Sequence, residues 1–297
     1  MKTFKSGFVV LVGKTNVGKS TLMNTILGEK VSIVTPKPQT TRNRIMGILT
    51  DQSSQIVFVD TPGFHRAAKK ELNLYMIRTA RAARDDADIV TIMVEAGDRL
   101  DDVDMEVLRG LKNVKTPVIL LINKVDRAKK ETILPLIESI EMMHNFEEII
   151  PVSALTGDGI EIYLDAVQRL LSEGPPFFPE DALTDQSEKF ITAEIIREKV
   201  FRLTRKEIPY AVAVAIDRFQ EDAQKGLLLV DAVIFVERES QKGIVIGKGG
   251  SVVKEIGTQA RMDLEAFFNI KVYVELRVKV LKDWAKRSEM LKRLGYQ

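Results

Sequence analysis

The sequence predicts an α/β protein: a mostly parallel, doubly wound sheet domain, then a smaller α+β domain with an antiparallel or mixed sheet. Three observations carry this. Short, nearly all-apolar runs alternate with helical patterns through the front of the chain. A glycine-rich run, GKTNVGKS at Gly13–Ser20, joins one apolar run to one helical pattern. The alternation stops at Ser172–Gly174, and a different rhythm follows a proline-rich stretch.

Taken in order, Phe8–Val12 is an apolar run of the kind that forms a buried parallel strand. Gln55–Asp60, Ile89–Glu95, Val118–Asn123 and Ile149–Val152 repeat the pattern, and Arg44–Leu49 reads as an extra antiparallel strand at one edge. Helices are expected near Ser20–Leu27, Leu72–Arg84, Val103–Leu111, Lys129–Met142 and Ile160–Leu171. The stretch SEGPPFFPEDALTDQSE carries three prolines and little apolar periodicity, so it reads as a linker. Beyond it, Phe190–Thr204 looks helical, and Tyr210–Phe219 and Leu227–Arg238 alternate like strands. IVIG forms a strand-like edge, and Gly247–Gly250 opens a helix running to about Phe268. Lys271–Leu281 alternates again, and Trp284–Leu294 closes as a basic helix. The expected limits are a first domain over 1–172, a linker over 173–189 and a second domain over 190–297.

Composition narrows the classes. With 297 residues, 45% of them hydrophobic and 29% charged, the chain can form two ordinary cores. It has no cysteine, which excludes a disulfide framework, thiol catalysis and a cysteine zinc site, and fits a reducing cytoplasm. The apolar run near the start is too short for a signal peptide, and no segment approaches membrane-spanning length. From Lys189 onward 21 basic residues face 15 acidic ones, whereas the front has 23 against 27. Such asymmetry suggests different partners for the two halves.

The motifs carry the chemistry. Gly13 and Gly18 let a tight loop (Gly13, Lys14, Thr15, Asn16, Val17, Gly18, Lys19, Ser20) turn its amides inward around phosphates. Lys19 reaches the terminal phosphates. Ser20 offers its hydroxyl to Mg²⁺ and opens a helix whose N-terminus faces the anion. This loop alone leaves GTPases, ATPases and small-molecule kinases open. In DTPG, Asp60 ends an apolar strand where a carboxylate holds Mg²⁺, directly or through water, and Gly63 can offer its amide to a γ-phosphate. Thr61 and Pro62 complete that turn. Of Thr40 and Thr41 in PKPQTTRNR, Thr41 is favoured to complete the metal shell.

A third piece, Asn123-Lys124-Val125-Asp126, follows another apolar strand. The Asp126 carboxylate can accept from guanine N1–H and the N2 amine, whereas adenine would face it with a lone pair. Lys124 can cover the ring with its stem, and Asn123 can tie this loop to the phosphate loop. Ser153-Ala154, after the next strand, offers the Ala154 amide to O6. The ordered set implies binding of GTP and GDP, and hydrolysis of GTP. Where many such proteins have a glutamine after DxxG, this chain has Phe64, which cannot orient water. The catalytic residue is therefore unassigned, His65 notwithstanding, and slow intrinsic turnover is expected. In GTPases that this loop resembles, an asparagine at the place of Asn16 helps bind a monovalent cation beside the phosphates, which implies K⁺ here, with capping of the loop's hydrogen bonds as the alternative.

These residues resemble the translation-factor-like GTPases. NVGKSTLMN, QTTRNRI, DTPGFH and the late string YVELRVKVLKDW narrow the resemblance to the bacterial Era family of ribosome-associated GTPases, over nearly the whole chain. In the back half, Gly247-Lys248-Gly249-Gly250 resembles the GxxG loop with which KH domains clamp about four nucleotides of single-stranded RNA. The expected element order there is helix–strand–strand–helix–strand. Lys242, Lys254 and Arg261 either add phosphate contacts or are solvated helix-face charges. The resemblance implies a P-loop GTPase domain and a KH domain, 16S ribosomal RNA near its 3′ end as ligand, and a role in 30S subunit assembly. A monomeric state, a cytoplasmic location and a weak peripheral contact of the last helix with an anionic membrane complete the expectations. Two rivals stand beside this reading: a P-loop phosphotransferase using ATP, and a non-enzymatic RNA-binding module that keeps the nucleotide as a passive ligand.

Overall fold

The computed structural model describes residues 3–64, 86–97, 99–111, 114–204 and 208–296. They form two compact units, one from the front of the chain through Asp185 and one from Gln186 onward together with Ile33–Thr40.

The first unit is built on a six-stranded sheet of β1 (Lys5–Gly13), β2 (Ile45–Thr50), β3 (Ser54–Asp60), β4 (Ile89–Glu95), β5 (Val118–Asn123) and β6 (Glu148–Val152). Their order is β2-β3-β1-β4-β5-β6. Every pairing is parallel except β2 with β3, so the antiparallel edge strand expected near Arg44–Leu49 is present. All residues of β3 and β5 are buried, as a sheet covered on both faces requires. Among the described residues the helices are α1 (Lys19–Leu27), α2 (Asp102–Arg109), α3 (Lys130–Glu141) and α4 (Ile160–Leu170). In α4 the apolar stripe Ile160, Tyr163, Ala166 and Val167 turns inward. The one polar tip in that stripe is satisfied, because the Tyr163 hydroxyl and Thr91 Oγ1 lie 2.8 Å apart. The helix expected over Leu72–Arg84 falls outside the described residues. Because β1 sits between β3 and β4, the connections diverge at its carboxyl end, where open α/β sheets place their ligands.

Residues 173–185, which carry the prolines, lie along this unit. Gln55, fully buried, accepts from the Phe177 and Phe178 amides (2.7 and 2.9 Å) and donates to the Phe178 carbonyl (2.9 Å). Phe177 packs on Phe8 with ring centroids 4.9 Å apart. A side chain thus supplies the hydrogen bonds that a proline-interrupted backbone cannot get from a sheet.

The second unit opens with α5 (Glu188–Leu203), capped by the Ser187 hydroxyl. There follow β7 (Ala213–Asp222), β8 (Leu227–Val236), α6 (Glu239–Ile246), α7 (Ser251–Phe268) and β9 (Lys271–Val280). β7 and β8 are antiparallel, and β8 and β9 are parallel. Parallel neighbours need a crossover, and α6 with α7 supplies it. The strand-like edge expected at IVIG is helical instead. Gln241 and Val245, four apart, are the buried residues of α6, and Gln241 Oε1 accepts from the Glu237 and Arg238 amides (2.9 and 3.0 Å) to fix the helix start. The order is therefore helix–strand–strand–helix–helix–strand. The closing helix also differs. Asp283 adopts a left-handed conformation (φ 54), a short 3-10 turn spans Trp284–Lys286, and α8 covers only Ser288–Arg293. Trp284 is fully buried, donates Nε1–H to the Ala211 carbonyl at 3.0 Å and stacks on Tyr296. Burying that indole, worth several kcal/mol, takes precedence over helical continuity.

Within this unit Ile33–Thr40 packs on α5. Arg197 Nη2 donates to the Thr40 carbonyl at 2.6 Å, the Lys37 ammonium donates to the Phe201 and Thr204 carbonyls, and Arg202 donates to that of Val34 at 3.1 Å.

Candidate functional site

At the carboxyl end of β1 the chain turns through Gly13–Ser20 into α1. Gly18 has φ 114, and a Cβ there would lie 2.2 Å from Asn123 Nδ2, so the position requires glycine. Asn16 is also left-handed, with φ 63. Lys19 is buried and folds back over the loop, donating to the Gly13 and Lys14 carbonyls at 3.1 and 3.0 Å. Burial pulls its ammonium down to about 8, against the opposing charge of Asp60. A phosphate in the loop would add a second counter-charge to this buried lysine.

Beside the loop, hydroxyls converge on one carboxylate. Asp60 Oδ2 accepts from Ser20 Oγ (2.5 Å), Ser32 Oγ (2.9 Å) and Thr41 Oγ1 (3.3 Å). Ser20 Oγ and Thr41 Oγ1 are themselves 2.9 Å apart. Asp60 Oδ1 is buried and has no hydrogen-bond partner among the described residues. Burial raises the Asp60 carboxyl, with Lys19 and the hydroxyls pulling the other way. A fully buried carboxylate with one idle oxygen and two adjacent hydroxyls is a donor set for a hard divalent cation. Thr40, by contrast, spends its hydroxyl on Thr35 Oγ1 and the Lys37 carbonyl, both at 2.7 Å.

The DTPG turn closes on the loop. Thr61 donates its hydroxyl to the Leu11 carbonyl at 2.7 Å, which ties the turn to β1. A Cβ on Gly63 would lie 2.6 Å from Thr15 Cα and 2.7 Å from Thr15 N. Phe64 pairs with the loop through its backbone: its amide donates to Gly13 O (3.1 Å) and its carbonyl accepts from the Thr15 amide (3.3 Å). Its ring packs against the core. His65 lies outside the described residues. Lys14 is clamped from the far side by Asp101 and Asp104 at 2.8 and 2.7 Å, at the start of α2.

Asn123, Asp126, Ser153 and Ala154 lie together. Asn123 Nδ2 donates to the Val17 carbonyl at 2.7 Å, which ties the end of β5 to the phosphate loop. Its Oδ1 accepts from the Ala154 amide at 2.9 Å, so a guanine O6 would share that donor. Asp126 Oδ1 accepts from Ser153 Oγ at 2.7 Å, which fixes the carboxylate plane. Lys124, at φ 68, pairs with Glu95 Oε2 at 2.8 Å, and Val125 lies in the short turn that follows. Sequence reasoning did not single out Ser32, Asn24, Glu95, Asp101 or Asp104 as site residues. Asn24 lay inside a quoted motif, but none of the others carries a local signal.

In the second unit, Gly247, Lys248, Gly249 and Gly250 form the turn between α6 and α7. All three glycines have positive φ (75, 60 and 79), and no atom lies within 4 Å of a Cβ built on Gly249 or Gly250. The turn is thus open on the outside, with the Lys248, Lys254 and Arg261 side chains exposed and Lys242 half-buried.

A family model described as "50S ribosome-binding GTPase" matches residues 8–124, and a KH domain model matches residues 207–285. The GTPase Era of Syntrophus aciditrophicus is 52% identical over 293 residues, covering 99% of this chain and 95% of that protein. The chain belongs to the Era family of GTPases. The GTPase Era of Geobacter metallireducens is 50% identical, covering 99% of this chain and 98% of its own length. Among solved structures, an Era in complex with MgGDPNP and nucleotides 1506–1542 of 16S ribosomal RNA superposes with a TM-score of 0.95 at 41% identity, covering 99% of both chains. A variant Era of Aquifex aeolicus bound to GDP.AlF4- gives the same TM-score, identity and coverage. Era-family membership accounts for the pairing of a mostly parallel P-loop domain with a KH domain in one chain.

Proposed function

We propose that this chain is a GTP-hydrolysing switch that binds 16S ribosomal RNA near its 3′ end and assists assembly of the 30S subunit. The observation that carries the nucleotide reading is the linked pair of loops. Asp126 is oriented by Ser153, while Asn123 holds the same segment to the phosphate loop through Val17. Base and phosphates are then read by one connected framework. The Era complex with MgGDPNP and 16S rRNA supports the metal, the nucleotide and the RNA as partners.

Gly13–Ser20 cradles the phosphates, Lys19 neutralises them, and Gly63 offers its amide toward the last one. Ser20, Thr41 and Asp60 would hold Mg²⁺, which when bound neutralises charge developing on the phosphates. Asn16 would hold K⁺. The Gly247–Gly250 turn and Lys248 would take the RNA backbone, with Lys254 and Arg261 on the same helix adding charge. The functional limits are 1–172 and 190–297, joined by 173–189, of which 173–185 packs along the first unit. The chain acts as a monomer in the cytoplasm, and the basic residues of 284–294 provide a weak contact for RNA or an anionic surface. Coupling is reciprocal: RNA favours GTP by the factor by which GTP favours RNA.

A single-turnover assay of phosphate release with Mg²⁺, RNA and either K⁺ or Na⁺ tests the reading. Release of phosphate from GTP, faster in K⁺, is expected. No release in either salt would favour the passive RNA-binding module, and equal rates in the two salts would remove the K⁺ assignment.

A further inference from the structure

We propose that Ser32 is a positioning residue for the metal carboxylate, and that Asn24 holds it there. The inference rests on the Mg²⁺ reading of Asp60. Ser32 is fully buried and donates to Asp60 Oδ2 at 2.9 Å. Nothing in its sequence neighbourhood fixes that aim; Asn24 does. The Asn24 amide group donates to the Ser32 carbonyl at 2.6 Å and accepts from the Val31 and Ser32 amides at 3.1 and 2.9 Å. One side chain thereby satisfies three backbone groups around the serine and holds the backbone from which its hydroxyl reaches Asp60.

Asn24 follows Ser20 by four residues on α1, so the two share one helix face. A ring results: Ser20, Asn24, Ser32 and Asp60, closed by the bond from Ser20 Oγ to Asp60 Oδ2 at 2.5 Å. All hydroxyl contacts fall on Oδ2, while Oδ1 is buried without a hydrogen-bond partner among the described residues. Ser20 and Thr41 must give their oxygens to a cation. Ser32 is the hydroxyl that can stay on Oδ2 and hold the carboxylate in place while they do. Groups that orient a metal ligand in this way typically contribute about 10–100-fold to metal affinity.

The test uses the full chain loaded with fluorescent GDP, and follows GDP release as Mg²⁺ is titrated. In Ser32→Ala the Mg²⁺ concentration that half-slows release should rise about 10–100-fold, and Ser32→Thr, which retains a hydroxyl, should restore most of it. Ser32→Cys keeps the volume but weakens the donor, and should fall between. Thermal unfolding of the nucleotide-free proteins provides the control. A lowered melting temperature with an unchanged Mg²⁺ midpoint in both Ala and Cys variants would overturn the proposal, because it would make Ser32 a packing residue only. If GDP release from the unmodified chain ignored Mg²⁺, the metal reading itself would fall, an outcome distinct from the first.

Discussion

Asp126→Asn is the sharpest perturbation of the base site. Ser153 Oγ donates to Asp126 Oδ1 at 2.7 Å, and an asparagine carbonyl can still accept that bond, so the loop should keep its shape. The other arm changes from an acceptor into an N–H donor. Against guanine this removes a hydrogen bond to a charged group, worth about 1.5–3 kcal/mol, and sets a donor against donors, a further 1–3 kcal/mol or so. The side chain is only 21% exposed, so water recovers little of the loss. The sum, about 2.5–6 kcal/mol, corresponds to a roughly 10²–10⁴-fold weaker affinity for GTP. Xanthine presents an oxygen where guanine has its amine, so xanthosine triphosphate should gain by a comparable factor. Competition against a fluorescent guanine nucleotide measures both, with circular dichroism as the check on folding. A folded variant whose GTP affinity fell less than about threefold, or one that bound ATP tightly, would refute the argument and favour the phosphotransferase.

Three further outcomes follow from other parts of the molecule. Gly249→Asp places its Cβ in open space but puts a negative charge where RNA phosphates must approach. RNA binding in a filter assay should fall about tenfold or more while GTP affinity holds, and loss of both would place the RNA site elsewhere. Gly63→Ala drives a Cβ into the Thr15 backbone at 2.6–2.7 Å; phosphate release should slow about 10²-fold as the DTPG turn is pushed off the γ-phosphate, with GDP affinity changing far less by titration calorimetry. Against an upward push from burial, the Lys14 ammonium and the Asp104 and Val103 amides together hold the Asp101 carboxyl down to about 2. Because its folded-state value is depressed, its stabilisation is present above the unfolded value near 4 and is lost as pH falls toward 2. Urea melts should therefore show Asp101→Asn losing stability relative to the unmodified chain at pH 6 and converging with it by about pH 2; a gap that persisted at low pH would contradict the Lys14 clamp.

Much of the fold was legible because its strands are buried on both faces. A run such as VILLIN at β5 has few alternatives once proline and polar residues bracket it. IVIG misled for the same reason: β-branched apolar residues look like a strand, yet Gln241 starts a helix there by hydrogen-bonding the Glu237 and Arg238 amides. Trp284 misled in the opposite way, since its place in a basic helical pattern concealed that it fills the core of its unit. At the site, the phosphate and base loops were visible because each is contiguous and each residue type answers to one ligand group.

The sequence by itself determined the class of fold, the guanine nucleotide and the order of the site's pieces, since local residue chemistry suffices for those. Only the tertiary structure decided that Thr41 rather than Thr40 turns to Asp60, that Thr61 serves β1, that Asn123 already engages the Ala154 amide, and that Ser32 completes the carboxylate's shell. Each of these depends on how buried polar groups from distant segments find partners. Hydrogen bonds of that kind are settled by the whole packed interior and leave no period or spacing in the chain.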